Sequence, residues 1–301
     1  MKYSLKVKTI WEIGQRENQE DCIFPAKSKE NSDDRVFILC DGMGGHEAGE
    51  VASQTVCDAM SKYLLERCSD ENCEFTDDTI KSAVNSAFDA LDGLMDEEMS
   101  QSKKMGTTMT CLVLHSKGYT IAHMGDSRVY HIRPGKKKDE TQIVHVTRDH
   151  SLINDLIAIG ELTEEEAKHS TQKNVITRAM QPGMERRPEP EVYHSSDIQA
   201  GDIFYLCSDG MLEEMNDKNI MNLFSKFRKD EQELAELLKA HTKDNQDNHS
   251  AIIIRVLKVI SDENGKGKKS WKQKLSQYIK NLFNRFDTVE VVPDTNQGIE
   301  Q

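Results

Sequence analysis

The feature that most constrains this chain is where its aspartates fall. Asp41 closes the apolar run Phe37-Ile38-Leu39-Cys40, and Asp209 follows Phe204-Tyr205-Leu206-Cys207-Ser208. Asp247 stands just ahead of the run 250–256, and Asp126 lies in a turn between two further strand-like runs, 119–124 and 129–132. Short continuous apolar runs are what strands covered on both faces look like. A carboxylate at the end of such a strand is held on a rigid element and still reaches water. Several converging there repel one another unless a cation neutralises them. Hard divalent cations prefer such oxygen ligands. The glycines of Asp41-Gly42 and Asp209-Gly210 permit close backbone approach beside the carboxylates, and the Gly42 carbonyl is itself a candidate ligand. One Asp-Gly pair alone reads as a plain turn; the conjunction carries the weight.

Strand signals fall at 2–13, 36–40, 107–115, 119–124, 129–132, 143–146, 203–207 and 251–257. Helical periodicity covers 48–68 and 76–99, with shorter helices at 151–159, 163–168, 216–227 and 230–241. Residues 169–190 carry few apolar residues and the prolines Pro182, Pro188 and Pro190, and read as an irregular surface segment. Elements come in blocks rather than in strict alternation. That favours α+β layers over a doubly wound parallel sheet.

The net charge of −13 argues against nucleic acid as the main partner, since phosphate backbones demand a basic surface. The seven cysteines are odd in number and contain no CxxC pair, so neither a disulfide framework nor a zinc ribbon is indicated. No apolar run approaches the roughly 18–20 residues that cross a bilayer. The N-terminus alternates like a strand and lacks a signal-peptide core, so the expected location is cytoplasmic.

Seven segments, in order, carry a resemblance. They are Gly14-Gln15-Arg16-Glu17-Asn18-Gln19-Glu20-Asp21, Asp41-Gly42-Met43-Gly44-Gly45-His46-Glu47-Ala48-Gly49-Glu50, Gly106-Thr107-Thr108, Gly125-Asp126-Ser127-Arg128-Val129-Tyr130, Thr147-Arg148-Asp149-His150-Ser151, Ser208-Asp209-Gly210 and Asp247-Asn248-His249-Ser250. Over residues 1–258 the chain resembles the metal-dependent protein phosphatases, the type 2C serine/threonine phosphatases, in their bacterial form. The resemblance implies two packed antiparallel β-sheets flanked by α-helices, a four-layer αββα sandwich. It implies two manganese or magnesium ions and a weaker third. Asp41 would bridge the two, Asp209 and Asp247 would ligate the first, and Glu20 and the Gly42 carbonyl the second. Asp126 with Asp209 would hold the third. Asp21 would support the shell by hydrogen bonding, and Arg16 would clamp the substrate phosphate. Asp41, Asp209 and Arg16 are thus the expected catalytic residues, acting by in-line attack of a metal-activated water with no phosphoenzyme. Phosphorylated proteins are the implied partners, paired with a serine/threonine kinase.

The chain departs from the family at several places. Gln19 stands where Asn is common. Met43 occupies the place of a eukaryotic histidine proposed as general acid, leaving a metal-bound water, His46 or His169 as donors. Glu213 replaces a frequent aspartate near the third metal. Residues 151–182 match the flap subdomain beside the active site. Beyond a linker at 259–264, residues 265–286 carry Lys266, Lys268, Lys269, Lys272, Lys274, Lys280 and Arg285 with an apolar stripe at helical spacing. Such a helix suits an anionic membrane surface, a partner or its own domain. Residues 287–301 read as a disordered end. Two other readings fit parts of the chain: a catalytically silent module of the same fold, and a metal-dependent nuclease, which the acidic body disfavours.

Overall fold

The computed structural model describes residues 1–44, 47–69, 74–95, 105–135, 140–167, 170, 172, 175–226 and 231–260. His46, His169, the expected helix 265–286 and the end 287–301 lie outside the described residues.

The strands are β1 (Lys2–Glu12), β2 (Asp21–Phe24), β3 (Lys29–Ser32), β4 (Val36–Met43), β5 (Gly106–Thr107), β6 (Met109–His115), β7 (Gly118–Met124), β8 (Arg128–Arg133), β9 (Gln142–Val146), β10 (Glu191–Ser195), β11 (Ile203–Cys207) and β12 (His249–Ile260). The helices are α1 (Glu47–Cys68), α2 (Asp77–Asp92), α3 (Leu152–Ala158), α4 (Glu164–Ala167), α5 (Asp217–Lys226) and α6 (Glu231–Thr242). One sheet runs β3-β1-β12-β11-β8-β9; the other runs β10-β7-β6-β4-β2 with β5 beside β4. Every pairing is antiparallel.

The continuous apolar runs are explained by cover on both faces. In β4, Phe37 and Leu39 point into the layer between the sheets with Leu112, Phe204, Leu206, Ile252 and Ile254. Ile38 and Cys40 face the other way, against Val56 and Met60 of α1 and Phe88 of α2. In β11 and β12, Tyr205 and Ile253 turn outward to Phe224 of α5 and Leu234 of α6. The layers are therefore helices, sheet, sheet, helices, which is the αββα sandwich. Cys22, Cys40, Cys57, Cys68, Cys111 and Cys207 are free and buried, behaving as small hydrophobes.

Some boundaries differ from the expectation. Helix α2 ends at Asp92, not near 99, where the Gly93 N–H bonds the Asp89 carbonyl. Strand β12 runs to Ile260 rather than 257, because Lys2 and Tyr3 of β1 pair with Ile260 and Val259. The linker expected at 259–264 therefore starts inside a strand. Strands β2, β3 and β10 lacked a periodic signal. They are short edge segments whose pairing comes from β4, β1 and β7.

At the start of α6, Glu231 is buried with Arg255 of β12 and is bonded by Lys6 of β1 at 3.1 Å. Glu231→Ala removes the buried carboxylate that Arg255 and Lys6 share and puts a methyl in its place. The expected cost is about 3–5 kcal/mol, read as a lowered urea midpoint. A midpoint within error of the parent's would show that water reaches Arg255.

Candidate active site

The antiparallel registers bring the acidic residues to one edge of the sandwich. Asp21 of β2 pairs directly with Asp41 of β4. Cys207 pairs with both Ala251 and Arg128, so the C-terminal end of β11 lies beside the start of β12 and the start of β8. Asp209, Asp247 and the Asp126 turn therefore meet at that edge. Together with Gln15, Arg16, Glu17, Asn18, Glu20, Gly42, Met43, Gly44 and Ile176 they line a cleft of about 530 Å³.

Each side chain is held by a different device. Thr108 Oγ1 accepts from the Asp41 N–H at 3.0 Å, and the Thr108 N–H returns to the Asp41 carbonyl at 2.8 Å. Asn248 ties three segments together: its Nδ2 donates to the carbonyls of Ile13 and Asn18, and its Oδ1 accepts from the Glu20 N–H at 2.7 Å. Both Glu213 oxygens accept backbone N–H bonds, from Gln246 at 3.0 Å and Asp247 at 2.9 Å. That bonding braces the loop carrying Asp247. Ser208 donates to Asp21 Oδ2 at 3.0 Å. Arg16 Nη2 reaches Asp247 Oδ2 at 2.7 Å, and this bond raises the guanidinium pKa further.

Gly42 and Gly49 are required by close approach. A Cβ on Gly42 would lie 2.2 Å from the Gly49 carbonyl oxygen, and one on Gly49 would lie 2.8 Å from the Glu20 carboxyl carbon. Helix α1 thus presses its first turn against the Glu20–Gly42 wall, and Ser53 secures it by donating to the Glu20 carbonyl at 2.6 Å.

The electrostatics of this edge are unfavourable by themselves. Burial, with help from Asp209 and Asp247, pushes the Asp21 carboxyl up to about 7 despite the bond from Ser208. Burial and the neighbouring Asp209 and Asp149 push Asp126 up to about 7. Asp41 and Asp209 are raised for the same two reasons, burial first and adjacent carboxylates second, and their side chains are within bonding reach of each other. Asp21 Oδ1, Asp126 Oδ1 and Asp209 Oδ1 are buried with no hydrogen-bond partner. Such oxygens call for a cation or a proton. The donors are all oxygens, with neither thiolate nor imidazole among them, which suits manganese or magnesium rather than a softer ion.

A second grouping looks ligand-like and is not. Ligand atoms of His123, His150 and Glu191 lie within 4.8 Å of one another. The two imidazoles are stacked, however, with centroids 4.4 Å apart and planes at 6°. Lone pairs lie in the ring plane, so parallel rings cannot both aim at one ion. His150 Nδ1 already accepts the Gly125 N–H at 3.2 Å. Burial lowers the pKa of both rings, His150 to about 4, so they sit neutral and brace the Asp126 turn.

A family model described as Protein phosphatase 2C matches residues 13–251. The chain belongs to the protein phosphatase 2C family. It is 32% identical over 206 residues to the serine/threonine protein phosphatase PstP of Mycobacterium tuberculosis, covering 68% of this chain and 36% of that protein. This chain thus spans about a third of that relative's length. It is 31% identical over 227 residues to a putative protein phosphatase 2C-type of Streptococcus pyogenes, covering 74% of this chain and 84% of that one. A crystal structure of the M. tuberculosis PstP/Ppp aligns with TM-score 0.68 at 29% identity, over 85% of this chain and all of that one. The PstP catalytic domain in complex with two manganese ions aligns with TM-score 0.65 at 29% identity, over 85% of this chain and 99% of that one.

Within this phosphatase 2C fold, the residues expected to hold metal or phosphate reach the cleft or its wall, while the candidate proton donors His46 and His169 lie outside the described residues. Arg16, Glu20, Asp41, Gly42, Asp126, Asp209 and Asp247 line the cleft, while Asp21 lies 3% exposed behind it. The supporting roles of Asn248, Glu213, Thr108, Ser208 and Ser53 were not assigned from sequence. Their bonds join segments up to 235 residues apart, and no local pattern announces them. Among the described residues no helix is long and apolar enough to cross a membrane.

Proposed function

We infer that this chain hydrolyses phosphoserine and phosphothreonine esters of proteins with the help of bound manganese or magnesium. The observation carrying the reading is the ring of carboxylates whose buried oxygens Asp21 Oδ1, Asp126 Oδ1 and Asp209 Oδ1 lack partners. Asp41 would bridge two ions, with Asp209 and Asp247 on the first, Glu20 and the Gly42 carbonyl on the second, and Asp126 with Asp209 on a weaker third. When bound, such ions supply an ionised water at neutral pH and offset charge on the phosphoryl oxygens.

The chain's own residues do the rest. Asp21, fixed by Ser208, orients the wall behind Asp41. Asn248 sets Glu20 through its backbone N–H. Arg16 lines the cleft mouth with 55% of its side chain exposed. Its planar, permanently charged fork suits two phosphoryl oxygens at once. The silent-module reading needs a missing carboxylate, and none of the set is missing. Substrates of this class come from ATP-dependent protein kinases. Docking of residues 265–286 on an anionic membrane or a partner remains part of the proposal.

The direct test is release of phosphate from a phosphothreonine peptide with and without MnCl2, beside a DNA substrate. Manganese-dependent release from the peptide and none from DNA is expected; hydrolysis of DNA alone defeats the assignment. Arg16→Ala is expected to lower kcat/KM on the peptide about 100-fold while manganese affinity, read by calorimetry, moves only a few-fold. Arg16→Lys should recover little, because a point charge cannot make the paired bonds.

A further inference from the structure

We propose that Trp11 and Ile13 form an apolar shelf that takes a hydrophobic side chain flanking the phosphorylated residue of the substrate. The inference rests on the phosphatase reading above and adds a substrate preference to it.

Trp11 is 54% exposed and Ile13 is 44% exposed. They sit two residues apart, Trp11 near the end of β1 and Ile13 just beyond it, where the chain leaves the sheet. Isolated exposed apolar residues are ordinary on protein surfaces. These two differ in being anchored to the site. The Trp11 indole N–H donates to the Asp21 carbonyl at 2.9 Å, which fixes the ring against the strand of Asp21. The Ile13 carbonyl accepts from Asn248 Nδ2 at 2.8 Å and from the Arg16 N–H at 3.4 Å.

The last bond closes a tight turn from Ile13 to Arg16, whose Cα atoms therefore lie within about 7 Å of each other. Gly14 holds the turn with φ +64°, and a Cβ there would lie 2.1 Å from the Asp247 carbonyl oxygen. The turn is thus pinned to the loop carrying Asp247. Gln15, Arg16, Glu17 and Asn18 go on to line the cleft. An extended peptide advances about 3.3 Å per residue. A phosphate held near Arg16 therefore leaves a residue about two positions away within reach of Ile13, with Trp11 up to about two positions further along. Continuity with the cleft selects a phosphopeptide as the occupant, ahead of a second copy of the chain. An indole held through its N–H, near an isoleucine whose backbone is pinned, offers apolar area at little ordering cost.

The test compares p-nitrophenyl phosphate with two phosphothreonine peptides, one carrying leucines and one carrying serines on both sides of the phosphothreonine. The wild-type chain should favour the leucine peptide about tenfold in kcat/KM. Ile13→Ser should lose most of that preference with hydrolysis of p-nitrophenyl phosphate unchanged, and Ile13→Leu should keep it. In a Trp271→Phe background the remaining indole, Trp11, should shift its emission on adding the leucine peptide and not the serine peptide. Equal use of both peptides by the wild type, or a preference that survives Ile13→Ser, overturns the proposal. So does a sedimentation shift from dimer to monomer in Ile13→Ser without any change in peptide preference. A protein inert to all three substrates defeats the phosphatase reading instead. The shelf is then judged by the anisotropy of fluorescein-labelled peptides, where equal binding of both overturns it.

Discussion

Asp41→Asn is expected to abolish hydrolysis and at the same time stabilise the metal-free fold. Asp41 sits at the end of β4, where burial raises its carboxyl pKa, followed by the charges of Asp21, Asp209 and Asp126. Its side chain is in bonding reach of Asp209. An amide there is neutral and can donate an N–H to Asp209, so one member of a repelling group becomes a partner. In EDTA the variant should melt a few degrees above the parent, at about 2–4 °C per kcal/mol for a chain of this size. The bridging role proposed for Asp41, however, would need both carboxylate oxygens. Losing one forfeits several kcal/mol of charge stabilisation in the transition state, or about a thousand-fold or more in kcat/KM. In saturating manganese the order of melting temperatures should reverse. Wild-type turnover by Asp41→Asn, or a lower melting temperature in EDTA, contradicts this account.

The second large effect is the stabilisation that manganese confers, which should grow with pH. Asp21 and Asp126 have folded-state values raised to about 7. An acid with a raised folded pKa holds its proton where the unfolded chain has lost it. The folded state then binds more protons, so its stability falls as pH rises from about 4, the unfolded value, to about 7. The histidines act oppositely. Burial holds His115 and His150 at about 4, so they favour folding more as pH rises through the same window. These rings do not line the cleft, so the difference between manganese and EDTA at each pH cancels them. An ion displaces the carboxyl protons, and each proton displaced changes the difference by roughly 1.4 kcal/mol per pH unit. Urea midpoints at about pH 5 and about pH 8 read it directly. A manganese effect that is flat or smaller at high pH would mean that the carboxyls are already ionised without it.

The fold was partly legible because burial writes itself into composition. Val36 to Cys40 and Ile203 to Cys207 are apolar at every position since helices cover one face and the partner sheet the other. Strands β2, β3 and β10 escaped because edge strands need no such run. Helix α2 was read too long because its stripe continued past Gly93, where the backbone stops it. Glu213 stood out only as a departure; its work is to brace the loop of Asp247.

By itself the sequence determined which residues are acidic at strand ends, how the strands are buried, and which motifs occur in which order. These are local properties, set by side-chain chemistry and by periods of two and 3.6 residues. Only the tertiary structure decided that Asp21 faces Asp41, that Asn248 reaches back to Ile13, Asn18 and Glu20, and that three buried carboxylate oxygens are left without partners. Antiparallel register sets those contacts across intervals of 20 to more than 200 residues. A pairing of strands so far apart is fixed by the packing of the whole sandwich and by no neighbouring residue.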